Sequence, residues 1–401
     1  MTKLAFFYAT FPRPTETFVR RELRYLQKIG LSPEIFSIWK GEKNWEGKSI
    51  HLFPFLNILC LLFWIPYWAW KRPSAFKTIL KHLWSTPCPN LQNWNETFLG
   101  LAFALVRAKD FQKNKYSRVH GVWATMPATA AFGMNQLIDI PFSMGAHAYD
   151  VFRAGGDWLL PLKIKYASKV RTSSQSTAKR LSLLGLEGEK LEIIYRSLNR
   201  FNGREHFNLV KKDKLSLLSV GRLVPKKGYF LLIHILQKLK HANIPFQLNI
   251  IGGGNLEREI KRQIRLAGLA DDVLLLGYLD EAETEMFYRQ SDALLFTGII
   301  APNGDRDGIP NVVPEAMAHG LLVLASIYAG CSEAFMDGRS GYSLSPYKPD
   351  AWVNLLGRFY SEPEKFVEVR KCAMLDAEAK FSDKINCQNL KTFLSDLAFS
   401  S

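Results

Sequence analysis

The stretch DRDGIPNVVPEAMAHG, residues 305–320, sets Asp307 and Glu315 eight positions apart, with Asp305 just upstream. Pro310 falls about at a helix cap and Pro314 within the first four helical positions, whose amides lack intrahelical partners. Gly320 marks the end of the helix. Amides from Gly308 to Val313 can therefore hold a phosphate, and the two acids project to either side of it. Acids flanking an anion site suit a ligand with hydroxyl groups at both ends, because a carboxylate accepts what a hydroxyl donates. They can equally complement the helix dipole. Asp305 and Asp307 also spell a D-x-D, which can hold a divalent cation beneath a diphosphate. Oxygen-ligand sites need further carboxylates or substrate phosphates, and cations elsewhere in the chain offer the countercharge, so no metal is expected.

Those cations lie in SVGRLVPKKGY, where a strand ends at Gly221 and Arg222 and is followed by Lys226 and Lys227. Cations at a strand end, beside a glycine that admits a ligand to the backbone, suit a diphosphate. The competing reading is of solvated loop charges. IIGGGNLEREI is a strand, a glycine loop that includes Gly253, and a helix start whose amides can face an anion. It lacks the dinucleotide-binding spacing, and glycines also turn chains for steric reasons alone.

The elements that must position these residues alternate strand with helix. KLAFFYAT, SPEIFSIW, SRVHGVWA, PFSMGAHAYDVFR, KVRTSS and LEIIYRSL read as strands of a first domain, and Thr15 or Thr17 can cap its first helix. After a mixed polar stretch at 199–213 the period restarts with LSLLSVGRL, FQLNIIGGG, DVLLLGYL, ALLFTG and LLVLAS. Repeated strand–helix units imply parallel sheets covered on both faces, and ligands bind at the carboxyl ends of such strands. At 401 residues, 47% hydrophobic and 22% charged, the chain is a globular protein of two domains.

The net charge of +15 favours anionic partners. Basic tracts interleaved with aromatics and zinc-finger spacings are absent, which argues against nucleic acid. Five scattered cysteines without a CxxC pair suit a reducing cytoplasm better than a disulfide framework. The N-terminus reads as a buried strand and not as a signal peptide. Residues 52–70, LFPFLNILCLLFWIPYWAW, carry no charge and approach the length of a bilayer span, but Pro54 and Pro66 lie within them and basic KRPSAFKTILKHLW follows. That pattern fits a segment, 52–84, lying in the interface of an anionic membrane. Burial in the core and a true span are the other readings.

Together VGRLVPKKGY, IIGGG, LLLGYL and DGIPNVVPEAMAHGLLVLAS stand in the order and spacing of glycosyltransferase family 4, which the chain resembles along nearly its whole length. FPRPTETFVRREL, HGVWATMPATAAF and PFSMGAHAYDVFR resemble its colanic-acid and exopolysaccharide branch. The resemblance implies a GT-B fold, with two Rossmann-like parallel-sheet domains facing a central cleft. Domains at 1–198 and 214–375 follow, joined by the 199–213 linker, with a helix at 376–401 returning to the first. It implies that Arg222 and Lys227 bind the donor diphosphate with Gly221 and Gly253. Gly308, Ile309, Pro310, Asn311 and Val312 would hold the phosphates, Glu315 the ribose, and Asp307 the donor sugar. The backbone of Gly277, Tyr278 and Leu279 would line the base. His147 would contact the donor sugar, and Asp150 would help form the site.

The implied activity is a retaining, metal-independent hexosyl transfer at the inner face of the cell membrane. The co-substrate is a nucleotide diphosphate sugar and no other cofactor is expected; the acceptor is a lipid-linked saccharide. A nucleotide-sugar epimerase and a catalytically silent assembly subunit are the rival functions. Two departures stand out. Asp307 occupies a position where the family usually has Glu, and Gly121–Val122–Trp123 replaces a second histidine after His120.

Overall fold

Runs of apolar residues alternate with amphipathic helices along the chain, and the computed structural model gathers them into two α/β units. It describes residues 3–13, 16–198, 213–328 and 330–395. Residues up to Tyr195, together with those from Asn386, form one unit, and Arg196–Ile385 form the other. The linker expected at 199–213 lies outside the described residues except for Asp213, and so does Thr15.

The first unit runs β1 (Lys3–Phe11), α1 (Thr17–Lys28), β2 (Glu34–Gly41), β3 (Asn44–Trp45), β4 (Lys48–Leu52), α2 (Leu61–Lys71), α3 (Pro73–Ser85) and α4 (Leu91–Lys113). It continues with β5 (Tyr116–Gly121), α5 (Met126–Ile138), β6 (Phe142–Gly145), α6 (Tyr149–Phe152), α7 (Leu160–Tyr166), β7 (Lys169–Thr172), α8 (Gln175–Leu183) and β8 (Leu191–Ile193). The sheet order is β3-β4-β2-β1-β5-β6-β7-β8. All its pairs are parallel except β3–β4. The chain leaves β1 in one direction for β2 and β4 and in the other for β5, so the switch point lies between β1 and β5. Phe7, Phe36, Phe103, Phe111, Phe132 and Phe142 fill the core beside it.

Two expectations are corrected here. PFSMGAHAYDVFR is a strand only over Phe142–Gly145 and turns helical at Tyr149. The Asp150 carboxylate accepts from the amides of His147 and Ala148, donors that an extended ladder would have used. At α1, Thr17 is the first helical residue and Glu16 the capping position, with no side-chain cap.

The second unit runs β9 (Leu215–Val220), α9 (Tyr229–His241), β10 (Phe246–Ile251), α10 (Glu257–Leu266), β11 (Val273–Gly277) and α11 (Glu281–Gln290). Then come β12 (Ala293–Phe296), α12 (Val312–Ala318), β13 (Leu322–Ser326), β14 (Tyr342–Leu344), α13 (Pro349–Ser361) and α14 (Val367–Phe381), after which α15 (Asp383–Ser395) enters the first unit at Asn386. Its sheet is parallel throughout, in the order β11-β10-β9-β12-β13-β14. The order reverses between β9 and β12, which is where an open α/β sheet leaves its ligand crevice. β12 and β13 are buried along their whole lengths, as parallel strands covered on both faces must be. From Asn386 onward α15 belongs to the first unit, where Leu390, Phe393 and Leu394 pack with Phe6, Tyr8 and Leu23.

Residues 52–70 do not form one helix. A 3-10 turn over Phe55–Cys60 precedes α2, and among the described residues no helix is long and apolar enough to cross a membrane. Trp68 is fully buried and its indole donates to the Leu105 carbonyl at 2.8 Å. Burying a side chain of this size anchors α2 to α4 and satisfies its one donor.

Candidate functional site

In the second unit the site residues leave the carboxyl ends of β9, β10, β11 and β12. Gly221 follows β9, Gly252 to Gly254 follow β10, Gly277 ends β11, and Thr297 follows β12. The first two loops interlock. Gly221 and Leu223 donate to the carbonyls of Ile251 and Gly253, and a Cβ at Gly252 would collide with the Gly221 carbonyl. The Gly252 amide is committed to the Gly277 carbonyl at 2.7 Å. Close backbone packing therefore accounts for part of the glycine run. After Lys227, Gly228 takes φ +69°, and a Cβ there would strike the Thr297 carbonyl. This crossing ties the loop after β9 to the loop after β12 at the switch point.

Lys226, Lys227, Asp305 and Asp307 form one cluster. Lys227 lies 2.7 Å from Asp307, and the buried Lys226 lies 3.3 Å from Asp307 and 3.0 Å from Asp305. Burial pushes the Asp307 carboxyl up, but Lys227 and Lys226 outweigh it and bring its pKa down to about 2. Asp307 is thus an ionised partner of two lysines. Both acids of the D-x-D face ammonium groups, and no group of three or more metal-ligating side chains occurs among the described residues.

Arg222 is exposed, next to this cluster in sequence, and pairs with no acid among the described residues. The Lys227 ammonium also lies 4.9 Å from the Phe296 ring centroid, which limits where it can move.

α12 begins one residue later than expected. Asn311 is the capping residue, and Pro314 is the third helical position. The amides of Gly308, Ile309, Asn311 and Val312 donate to no acceptor among the described residues. Glu315 accepts from the Tyr288 hydroxyl at 3.0 Å, and the Tyr288 ring stacks on His319. Tyr288, unremarked in the sequence, is thus an orienting residue for Glu315. Tyr278 is exposed just past Gly277, and Leu279 is half-buried.

In the first unit His147 follows β6. It is buried, and its ring lies 5.2 Å from Trp123 at a near-perpendicular angle. Trp123, at the end of the stretch that replaces the second histidine, also lies 5.5 Å from Tyr149. Asp150 accepts from the amides of Ala124, His147 and Ala148 at 3.1, 3.1 and 2.8 Å. Burial pushes its carboxyl up while these amides pull it down. Its work is to fix the loop that carries His147.

Beside it, Asn93, Glu96, Tyr149, Arg153 and Asp157 line a polar pocket. Asp157 pairs with the buried Lys163, and its Oδ2 has no hydrogen-bond partner among the described residues. Glu96 is raised by burial, against the hydrogen bond from Gln92. Of its lining the sequence singled out Asp150 alone, because the other residues come from α4, α6 and the turns beside them.

Residues 202–375 match the family described as glycosyl transferases group 1. The amylovoran biosynthesis glycosyltransferase AmsK of Erwinia amylovora is 31% identical over 55% of this chain and 54% of its own length. The colanic acid biosynthesis glycosyltransferase WcaL of Escherichia coli K12 is 24% identical over 98% of this chain and all of its own length. Among solved structures, Anabaena HepE in complex with UDP superposes with a TM-score of 0.70 at 16% identity, covering 99% of this chain and 100% of that one. Sucrose-phosphate synthase of Thermosynechococcus elongatus gives 0.73 at 15% identity, with both chains covered in full. These two show the fold, and the GT-B expectation stands.

Proposed function

We propose, from the match of residues 202–375 to the glycosyl transferases group 1 family, that this chain moves a hexosyl group from a nucleotide diphosphate sugar to a saccharide acceptor during assembly of a cell-surface polysaccharide. The observation that carries the reading is the end of β9 at the switch point. There Lys227, the exposed Arg222 and the unengaged amides of Gly308–Val312 supply positive potential to one place. The difficult event is departure of the nucleoside diphosphate with growing negative charge. Fixed donors aimed at that charge lower the barrier without reorganising at the moment of reaction. These cations provide the countercharge that a divalent ion would otherwise supply, so the transfer is metal-independent.

Glu315, oriented by Tyr288, takes the ribose hydroxyls. Asp307 serves in two ways. It holds Lys227 in place, and one carboxylate can accept more than one hydrogen bond, which leaves room for a donor-sugar hydroxyl. Retention of configuration follows when the acceptor attacks from the face that the diphosphate leaves. The Erwinia and Escherichia relatives, named for amylovoran and colanic acid biosynthesis, support a polysaccharide product. Anabaena HepE, crystallised with UDP, supports a nucleotide donor.

A lipid-linked saccharide is the acceptor class. The test is release of nucleoside diphosphate from a panel of nucleotide sugars, with and without a membrane extract. One donor is expected to be consumed faster when extract is present. Equal rates with and without extract for every donor would overturn the transfer reading.

A further inference from the structure

The part of the chain that sugar transfer does not use is also the part that exposes most apolar surface. Around α2 the helix is divided cleanly. Trp64 and Trp68 pack inward with Phe53, Leu99 and Phe103, and Leu61, at helical spacing from them, is also buried. Leu62, Phe63, Ile65 and Trp70 point outward, Leu62 being 85% and Trp70 81% exposed. Phe55, Leu56 and Leu59 of the preceding 3-10 turn are also exposed. Large side chains carry roughly 150–250 Å² each, so this stretch shows about 800 Å² of apolar surface. The largest patch on an ordinary monomer is about 300–600 Å².

The charge pattern states what covers it. Between Glu46 and Glu96 the chain has no acidic residue, and Lys48, Lys71, Arg72, Lys77 and Lys81 are all cationic. On α3 the buried Ala75 and the partly buried Phe76, Ile79 and Leu83 face the core. The opposite side presents Lys77, Leu80, Lys81 and Trp84, with Trp84 95% exposed. Lys77 and Lys81 form no ion pair among the described residues, whereas Arg72 pairs with Asp139 and is partly neutralised. Lys109 reaches over from α4 to within 5.1 Å of the Tyr67 ring centroid. Apolar side chains next to long cations and tryptophan match the layers of an interface, with hydrocarbon below and phosphates at the level of the ammonium groups.

We infer that the 3-10 turn and α2–α3 of the first unit form a docking face for an anionic lipid bilayer. On it Phe55, Leu62, Phe63 and Trp70 enter below the headgroups while Lys77 and Lys81 meet lipid phosphates. The segment lies in one leaflet and does not cross, because Trp68 fixes α2 flat against α4 from the other side. The same apolar face could instead be covered by a second copy of this chain. The run of cations without a single acid argues against that, because two such faces would repel each other.

The test is co-sedimentation of the full chain with vesicles of phosphatidylcholine alone or with added phosphatidylglycerol, at low and high salt. It needs neither donor nor acceptor, so its outcome is separate from that of the transfer reading. The wild type should bind the anionic vesicles and be partly released by salt. Leu62→Gln/Phe63→Gln should lower binding by roughly tenfold or more at either salt. Lys77→Gln/Lys81→Gln should lower it by about tenfold to thirtyfold, at low salt and on anionic vesicles only. All four positions are exposed, so melting temperatures should stay at the wild-type value and exclude misfolding. Wild-type protein that remains in the supernatant with anionic vesicles at low salt overturns the inference. So does a dimer in light scattering that Leu62→Gln/Phe63→Gln dissociates while vesicle binding is unchanged.

Discussion

Asp307→Asn keeps the shape of the side chain and removes the charge that Lys227 and Lys226 face at 2.7 and 3.3 Å. The Asp307 side chain is 15% exposed, so solvent screens the pair little. With a carboxyl pKa of about 2 in the folded chain and about 3.9 when unfolded, ionisation favours the folded form. The linkage amounts to about 2–3 kcal/mol at neutral pH. Because the folded pKa is the lower one, this contribution is fully present above about pH 4 and is lost as pH falls through about 2. Near pH 3 roughly half of it remains. In a unit of this size the neutral-pH loss corresponds to a fall of about 5–10 °C in melting temperature. The assay is calorimetric unfolding of wild type and Asp307→Asn at pH 7 and pH 3. A gap that shrinks toward acid is expected. A gap under about 2 °C at pH 7, or one equally large at pH 3, would refute the claim that Asp307 is an ionised partner of the two lysines.

Arg222→Ala and Lys227→Ala should each slow turnover by roughly 10²–10³-fold, read as initial rates at saturating donor. Tyr288→Phe removes the hydroxyl that orients Glu315 and should weaken nucleotide binding about twofold to tenfold in calorimetry, with the melting temperature nearly unchanged. Glu315→Gln should weaken nucleotide and nucleotide sugar about equally, which separates a ribose contact from a sugar contact. Trp68→Ala should destabilise the first unit by about 3–5 kcal/mol in denaturant unfolding, because it empties a fully buried site and removes the indole hydrogen bond to the Leu105 carbonyl. Turnover should survive dialysis against EDTA, and its loss with recovery on adding magnesium would return the D-x-D to a metal.

The strand–helix alternation was legible because parallel strands buried on both faces read as apolar runs. β9, β10 and β12 stand where LSLLSVGRL, FQLNIIGGG and ALLFTG placed them. The motif residues of the second unit were legible as types but not as partners. Lys227 and Asp307 meet across 80 positions and Tyr288 and Glu315 across 27, separations that no local period reports. Asp307 therefore read as a sugar ligand, a metal ligand or a complement to the helix dipole, and not as the residue that holds a lysine. The run at 52–70 was legible as apolar but not as two-sided. The side of α2 that is buried is decided by Trp68 reaching Leu105, 37 residues away. HAYDVFR read as extended because its helix start depends on a carboxylate two residues beyond Ala148 accepting that residue's amide.

The central claim is that the ends of β9 and β12 hold a nucleoside diphosphate. Calorimetric titration of UDP, GDP and ADP into the wild type and Arg222→Ala/Lys227→Ala tests it most directly. At least one nucleotide should bind the wild type, and a hundredfold excess over its dissociation constant should stabilise the fold by about 2.7 kcal/mol. The double variant should lose that binding while melting cooperatively. Binding of equal strength to both proteins, or no binding of any nucleoside diphosphate to the wild type, would contradict the account.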